Sequence, residues 1–132
     1  MPRRTTPTTD ETHQALKNIS FESMVVSWLM QDGWQVFTPV LDNGHQTDIL
    51  ISDGPHFHRI QVKTVEAYGE DHKLTNRWAD SHVNVVVAFA RNSNWGYVMP
   101  AFSEPKRALN SPGHFKFEQS KNDFLRAFHQ LD

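Results

Sequence analysis

The chain contains no cysteine, which excludes disulfides and thiolate metal sites. It also lacks any apolar run of membrane-spanning length, and nothing apolar follows Met1-Pro2-Arg3-Arg4, so neither a membrane span nor a signal peptide is expected. A cytoplasmic location follows as the simple expectation. There is no basic surplus either. The formal net charge is −2, which argues against a broadly basic surface while leaving room for a local basic face. Internal repeats are absent. At 132 residues the chain suits one folded unit, and we expect a flexible N-terminal arm over residues 1–9 and one domain over 10–132.

What is present reads as an ordered series of elements. Thr8-Thr9-Asp10-Glu11 fits a capping box, so helix should begin near Asp10 and run to Asp32, with a break near Asn18-Ile19-Ser20. Phe21, Val25, Trp28 and Leu29 recur at helical spacing and form its buried stripe. Gly33 suits a left-handed helix end. Trp34 to Phe37 reads as a strand closed by Pro39, with turns at Asp42-Asn43-Gly44 and Ser52-Asp53-Gly54-Pro55. Residues 65–81 are polar without a period and read as a loop; a short helix around Arg77-Trp78 is the alternative. The apolar run 83–90 suits a central strand buried on both faces. Trp95 to Met99 reads as a further strand, and Asn122 to Gln130 as a terminal helix. The expected fold class is α/β, a mixed central sheet flanked by helices.

Four polar residues interrupt this core pattern. Glu22 lies one position off the buried helical stripe, at the edge of a packing face. Asp48 opens the apolar run Asp48-Ile49-Leu50-Ile51. Gln61 and Lys63 alternate with Ile60 and Val62 in Arg59-Ile60-Gln61-Val62-Lys63, so both point to the same side of a strand. An antiparallel pair with one wet face also shows such alternation. A carboxylate beside a metal-capable oxygen and an ammonium is nonetheless suited to cutting a phosphodiester.

In this order and spacing the residues resemble the PD-(D/E)XK nuclease superfamily, in particular its small homing-endonuclease and Holliday-junction-resolvase members. The matching text runs from Phe21-Glu22 through Thr47-Asp48-Ile49-Leu50-Ile51 and Ile60-Gln61-Val62-Lys63-Thr64 to Gly96-Tyr97-Val98-Met99-Pro100, roughly residues 19 to 102. Two positions depart from the pattern. Gln61 stands where the second acid is usual, and Asn84 where relatives often carry an aspartate.

The resemblance implies a restriction-endonuclease-like core and a Mg²⁺-dependent deoxyribonuclease, with Mn²⁺ as a substitute metal. Glu22, Asp48, Gln61 and Lys63 would be the catalytic set. Asp48, Gln61, the Val62 carbonyl and Glu22 would be the metal ligands, because magnesium takes oxygen donors and needs few carboxylates. Lys63 would orient or deprotonate the attacking water and offset charge on the phosphate. Site-specific duplex cleavage of the homing kind is the leading expectation. Resolution of Holliday junctions, or non-catalytic nucleic-acid binding on the same fold, are the alternatives; a regulatory scaffold is a third. So small a chain would act on DNA as a homodimer or homotetramer. Lys73, Arg77, Lys106 and Arg107 are the candidate DNA contacts. His56 and His58 are a weaker zinc pair lacking a third ligand. Asp42 rivals Asp48 but sits in turn text, and Glu66 could compensate for the missing acid only from a distance.

Overall fold

A register of alternating side chains builds a sheet with two different faces, and that difference positions the site. The computed structural model describes residues 1–42 and 44–131; the Asn43 part of the expected turn lies outside them. The chain runs α1 (Asp10–Gln31), β1 (Gln35–Phe37), β2 (Ile49–Ser52), β3 (Phe57–Val65), β4 (Lys73–Thr75), β5 (Val85–Ala90), β6 (Trp95–Pro100), β7 (Lys106–Ala108), β8 (Phe115–Glu118) and α2 (Lys121–Phe128). Six strands form a mixed sheet in the order β1-β2-β3-β5-β6-β8, and β4 and β7 form a separate two-stranded ribbon. Only β3 and β5 pair in parallel within the six-stranded sheet. No helix among the described residues is long and apolar enough to cross a membrane.

Helix α1 starts one residue later in its capping than the sequence suggests. Thr9, not Thr8, is the cap, and its hydroxyl oxygen accepts from the Thr12 amide at 3.2 Å. The expected break at Asn18-Ile19-Ser20 does not occur. Ser20 donates its hydroxyl to the Lys17 carbonyl, and Asn18 turns outward to accept from Arg91, so neither side chain competes with the helical ladder. The helix ends as expected at Gly33, whose φ of 101° is open to glycine. The Trp34 amide donates to Leu29 O and the Gly33 amide to Met30 O, the paired bonds of a Schellman end.

Both helices cover one face of the sheet. Phe21, Val25, Trp28 and Leu29 of α1 and Phe124 and Phe128 of α2 pack on Ile49, Ile51, Ile60, Val62, Val87 and Phe89. Val86 and Ala88, pointing the other way from β5, join Tyr97 and Met99 under Leu74, Trp78, Phe102 and Leu109. Strand β5 is therefore buried on both faces, as its apolar run requires.

The polar stretch 65–81 is not a plain loop. It contains β4, which pairs with β7 from Lys73↔Ala108 to Thr75↔Lys106. Leu74 points inward to the second core cluster, which is why so short and polar a strand is held. Trp78 is a buried anchor, its indole N–H donating to Phe102 O at 3.0 Å.

Candidate active site

The Ser52-Asp53-Gly54-Pro55 turn joins β2 and β3 as an antiparallel hairpin, with Ile49 opposite Ile60. Asp48 lies one residue before β2, its amide donating to Ile60 O at 3.0 Å, so the register places it across from Gln61. Its carboxylate is half-buried, not turned to solvent. Oδ2 accepts from the Val62 backbone amide at 2.7 Å and from Gln61 Nε2 at 3.1 Å. These two donors fix the carboxylate against the strand that carries Lys63.

Gln61 is only 7% exposed. With Nε2 given to Asp48, its Oε1 is buried and has no partner. A buried acceptor left unpaired costs about 1–3 kcal/mol, so such an atom calls for an explanation. It lies on the amide that holds the Asp48 carboxylate, where a cation would satisfy both. In an extended strand the N–H and C=O of one residue point to the same side. The Val62 amide points at Asp48, so the Val62 carbonyl turns toward the same edge.

Glu22 reaches this place from α1. It lines, with Asp48, Thr38, Ile49, Val26 and Met30, a cavity of about 480 Å³ between the helix and the strand ends. Burial, then the charges of Asp48 and Asp42, push its carboxyl up to about 7. Burial also raises Asp48, with Asp42 adding to the rise while the Val62 amide and Lys63 oppose it. Lys63 is shifted the other way, its ammonium disfavoured by burial and by Arg77 and supported by Asp48. Carboxylates pushed up and a lysine pushed down describe a site uncomfortable with its own charges. A dication among the carboxylates would relieve that discomfort.

The donors available are all oxygen: Asp48, Glu22, the Gln61 amide and the Val62 carbonyl. This set fits Mg²⁺ or Mn²⁺ rather than a soft metal. No group of three or more histidines or carboxylates suited to a metal occurs among the described residues, so neutral donors would have to complete the shell. Asp42, set aside as turn text, acts on Glu22 and Asp48 through its charge. Its approach depends on the 38–47 connection and has no signature in the local sequence. Glu66 is instead paired with Arg91 at 3.0 Å. Asn84 has a backbone role: Oδ1 accepts from the Arg59 amide at 2.7 Å, and its own amide donates to Arg59 O at 2.9 Å. His56 pairs with Asp53, while the His58 ring meets Trp34 edge-on.

The four expected DNA contacts divide. On the β4–β7 ribbon Lys73 and Lys106 lie on the exposed face, opposite the inward Leu74. Arg77 is exposed just beyond β4. Arg107 shares the inward side with Leu74, pairs with Glu104 at 3.3 Å, donates to Pro112 O and lies over the Phe102 ring.

A metal-free titration tests the strain at Glu22. Its folded pKa, about 7, lies above the ordinary 4.5. Its favourable contribution is therefore full below pH 4.5 and is lost as pH rises through about 7. Glu22→Gln removes that loss. In EDTA the variant should melt above the wild type at pH 8, and the difference should vanish in acid. An equal or lower melting temperature at pH 8 would show that Glu22 is simply solvated.

No family model and no curated protein matches the sequence. Among solved structures, the bacterial homing endonuclease I-Ssp6803I matches with a TM-score of 0.54 and 16% identity, over 80% of this chain and 75% of that one. At that identity the likeness is one of fold. The chain has the mixed α/β architecture of a bacterial homing endonuclease, a six-stranded mixed sheet flanked by two helices.

Proposed function

We propose that this protein is a metal-dependent DNA endonuclease that cuts duplex DNA site-specifically in the homing manner, as a homodimer or homotetramer. The observation that carries the reading is the placement of Asp48 against Gln61, whose buried oxygen is unpartnered, near the Lys63 ammonium, with Glu22 of α1 sharing a cavity with Asp48. The fold shared with a homing endonuclease supports it.

Asp48 is held by the Val62 amide and Gln61 and would ligate the metal through its free oxygen. Gln61 Oε1, the Val62 carbonyl and Glu22 would complete the protein's share of the shell. Bound there, Mg²⁺ supplies Lewis-acid polarisation of the phosphate and a water activated for attack. Lys63, with its pKa lowered by burial and Arg77, gives up a proton more readily than an exposed lysine. It would orient and deprotonate the attacking water. Lys73, Arg77 and Lys106, which carry no ion pair among the described residues, would meet backbone phosphates.

Incubation of the purified chain with supercoiled plasmid, linear duplex and four-way junctions, with Mg²⁺, Mn²⁺ or EDTA, tests the reading. Metal-dependent cutting of duplex is expected. Preference for junctions would indicate a resolvase, and binding without cutting in any metal would reduce the chain to a binding module.

Gln61 also sets metal affinity. An amide brings no formal charge, so the site holds a dication with fewer negative charges than an Asp-Glu pair. Gln61→Glu should tighten Mg²⁺ binding by about tenfold. Without metal the same change should lower the melting temperature, because it replaces the Nε2 donor with a second carboxylate beside Asp48. Unchanged affinity by calorimetry would mean that residue 61 does not reach the ion.

A further inference from the structure

Arg59 opens the polar row that continues through Gln61 and Lys63 on one side of β3. It is half-buried, and among the described residues its guanidinium has one polar contact, a long one, Nη1 to Thr47 Oγ1 at 3.5 Å. By contrast Arg91, Arg107 and Arg126 each have a carboxylate, at 3.0, 3.3 and 2.8 Å. No carboxylate among the described residues lies within 4.0 Å of Arg59. Asp42 lines the same cavity, of about 300 Å³, but outside ion-pair distance. The backbone beneath Arg59 is clamped in both directions by Asn84. A cation fixed at its root and open at its tip is suited to an anion from solution.

The opposite end of the row has a matching feature. Arg77 is exposed between two anchored neighbours. Asn76 donates to Phe102 O and Glu104 O, and Trp78 is buried in the cluster that contains Val86 and Ala88. Those two residues stand directly across from Gln61 and Lys63. Arg77 is near enough to act on Lys63 through its charge, so the site is bracketed by Arg59 on one side and by Lys63 with Arg77 on the other. Four residues of strand span about 13 Å. That is roughly the axial rise of four nucleotides, at about 3.4 Å each along a strand.

Taking the nuclease reading as its basis, we infer that Arg59 and Arg77 are phosphate anchors on either side of the scissile bond. The cut strand runs along β3 and must carry phosphates both before and after the bond that breaks. The substrate class is thus the interior of a polynucleotide. Terminal nucleotides and simple phosphodiesters lack one of the two anchors and are poor substrates.

A duplex carrying single neutral methylphosphonates at successive positions around the cut site tests this. One neutralised phosphate on each side should slow wild-type cleavage by about tenfold, the scale of one lost charged contact. Arg59→Met should raise KM by a similar factor with kcat changed less than about threefold. It should also be indifferent to neutralisation on its own side only, a coupling that mere structural damage would not give. Arg59→Lys, which keeps the charge, should regain the sensitivity; Arg59→Gln carries the test if the methionine variant does not fold. Wild-type cleavage insensitive to the flanking phosphates, or a methionine variant as sensitive as wild type, would overturn the inference. If the wild type cuts no DNA, the nuclease reading fails separately, and binding decides. Measured in Ca²⁺ by fluorescence anisotropy, the salt slope of Arg59→Met should be smaller by about one ion; an unchanged slope would overturn the anchor.

Discussion

Replacing Asp48 with asparagine should abolish DNA cleavage and leave the fold in place. The asparagine oxygen can still accept from the Val62 amide, which the wild-type carboxylate does at 2.7 Å. What disappears is the charge proposed to hold the dication. A fall of about 10³-fold or more is expected, roughly 4 kcal/mol at about 1.4 kcal/mol per decade. Alanine is the less informative change. Asp48 is half-buried, so alanine would strand the Val62 N–H and Gln61 Nε2 as well as remove the charge, at about 1–3 kcal/mol of stability. Circular dichroism and thermal melting separate the two effects. In the asparagine variant Mg²⁺ should no longer raise the melting temperature, whereas it should do so in the wild type.

Lys63→Met should separate turnover from binding. The change keeps much of the aliphatic stem, so the half-buried side chain still packs beside β5. Removal of a positioned proton-transfer group costs about 10²–10⁴-fold in rate. DNA affinity should fall only modestly, since Lys63 is proposed as one phosphate contact among several, and its loss should change the salt slope by about one. A variant that cuts at the wild-type rate would remove Lys63 from the chemistry. One that binds far more weakly but, once saturated, cuts normally would make it a binding residue alone.

The Asp48–Lys63 hairpin was legible in the sequence because each of its signals is local. A Ser-Asp-Gly-Pro turn, a period of two and a carboxylate at the strand start need no distant partner to be read. Gln61 and Lys63 were placed on one side of β3 by alternation alone. The same alternation contains Arg59, yet its meaning depends on what does not reach it, and only the folded arrangement reveals which arginines have found carboxylates. The second core cluster was illegible for a different reason. Strand β4 is three residues long and polar at both ends, and its partner is β7 near the far end of the chain. Within the polar stretch Leu74 and Trp78 supply the buried contacts, and two apolar residues there make no period. Asn18 and Ser20 misled in the opposite direction. Read locally they weaken a helix, but Arg91 from β5's end and the Lys17 carbonyl absorb their side chains. The approach of Asp42 to Glu22 and Asp48 is likewise a matter of where the connection after β1 is folded back.

The proposed role of the oxygen donors gathered at Asp48, hydrolysis of DNA, is tested most directly by single-turnover cleavage of a labelled duplex. Wild-type and Asp48→Asn proteins would be purified side by side and used in excess over DNA, with Mg²⁺ or EDTA. Cutting by the wild type in Mg²⁺ alone, with none by the variant under any condition, is the predicted result. A wild type that binds the duplex without cutting it, or an Asp48→Asn protein that cuts at the wild-type rate, would contradict the account.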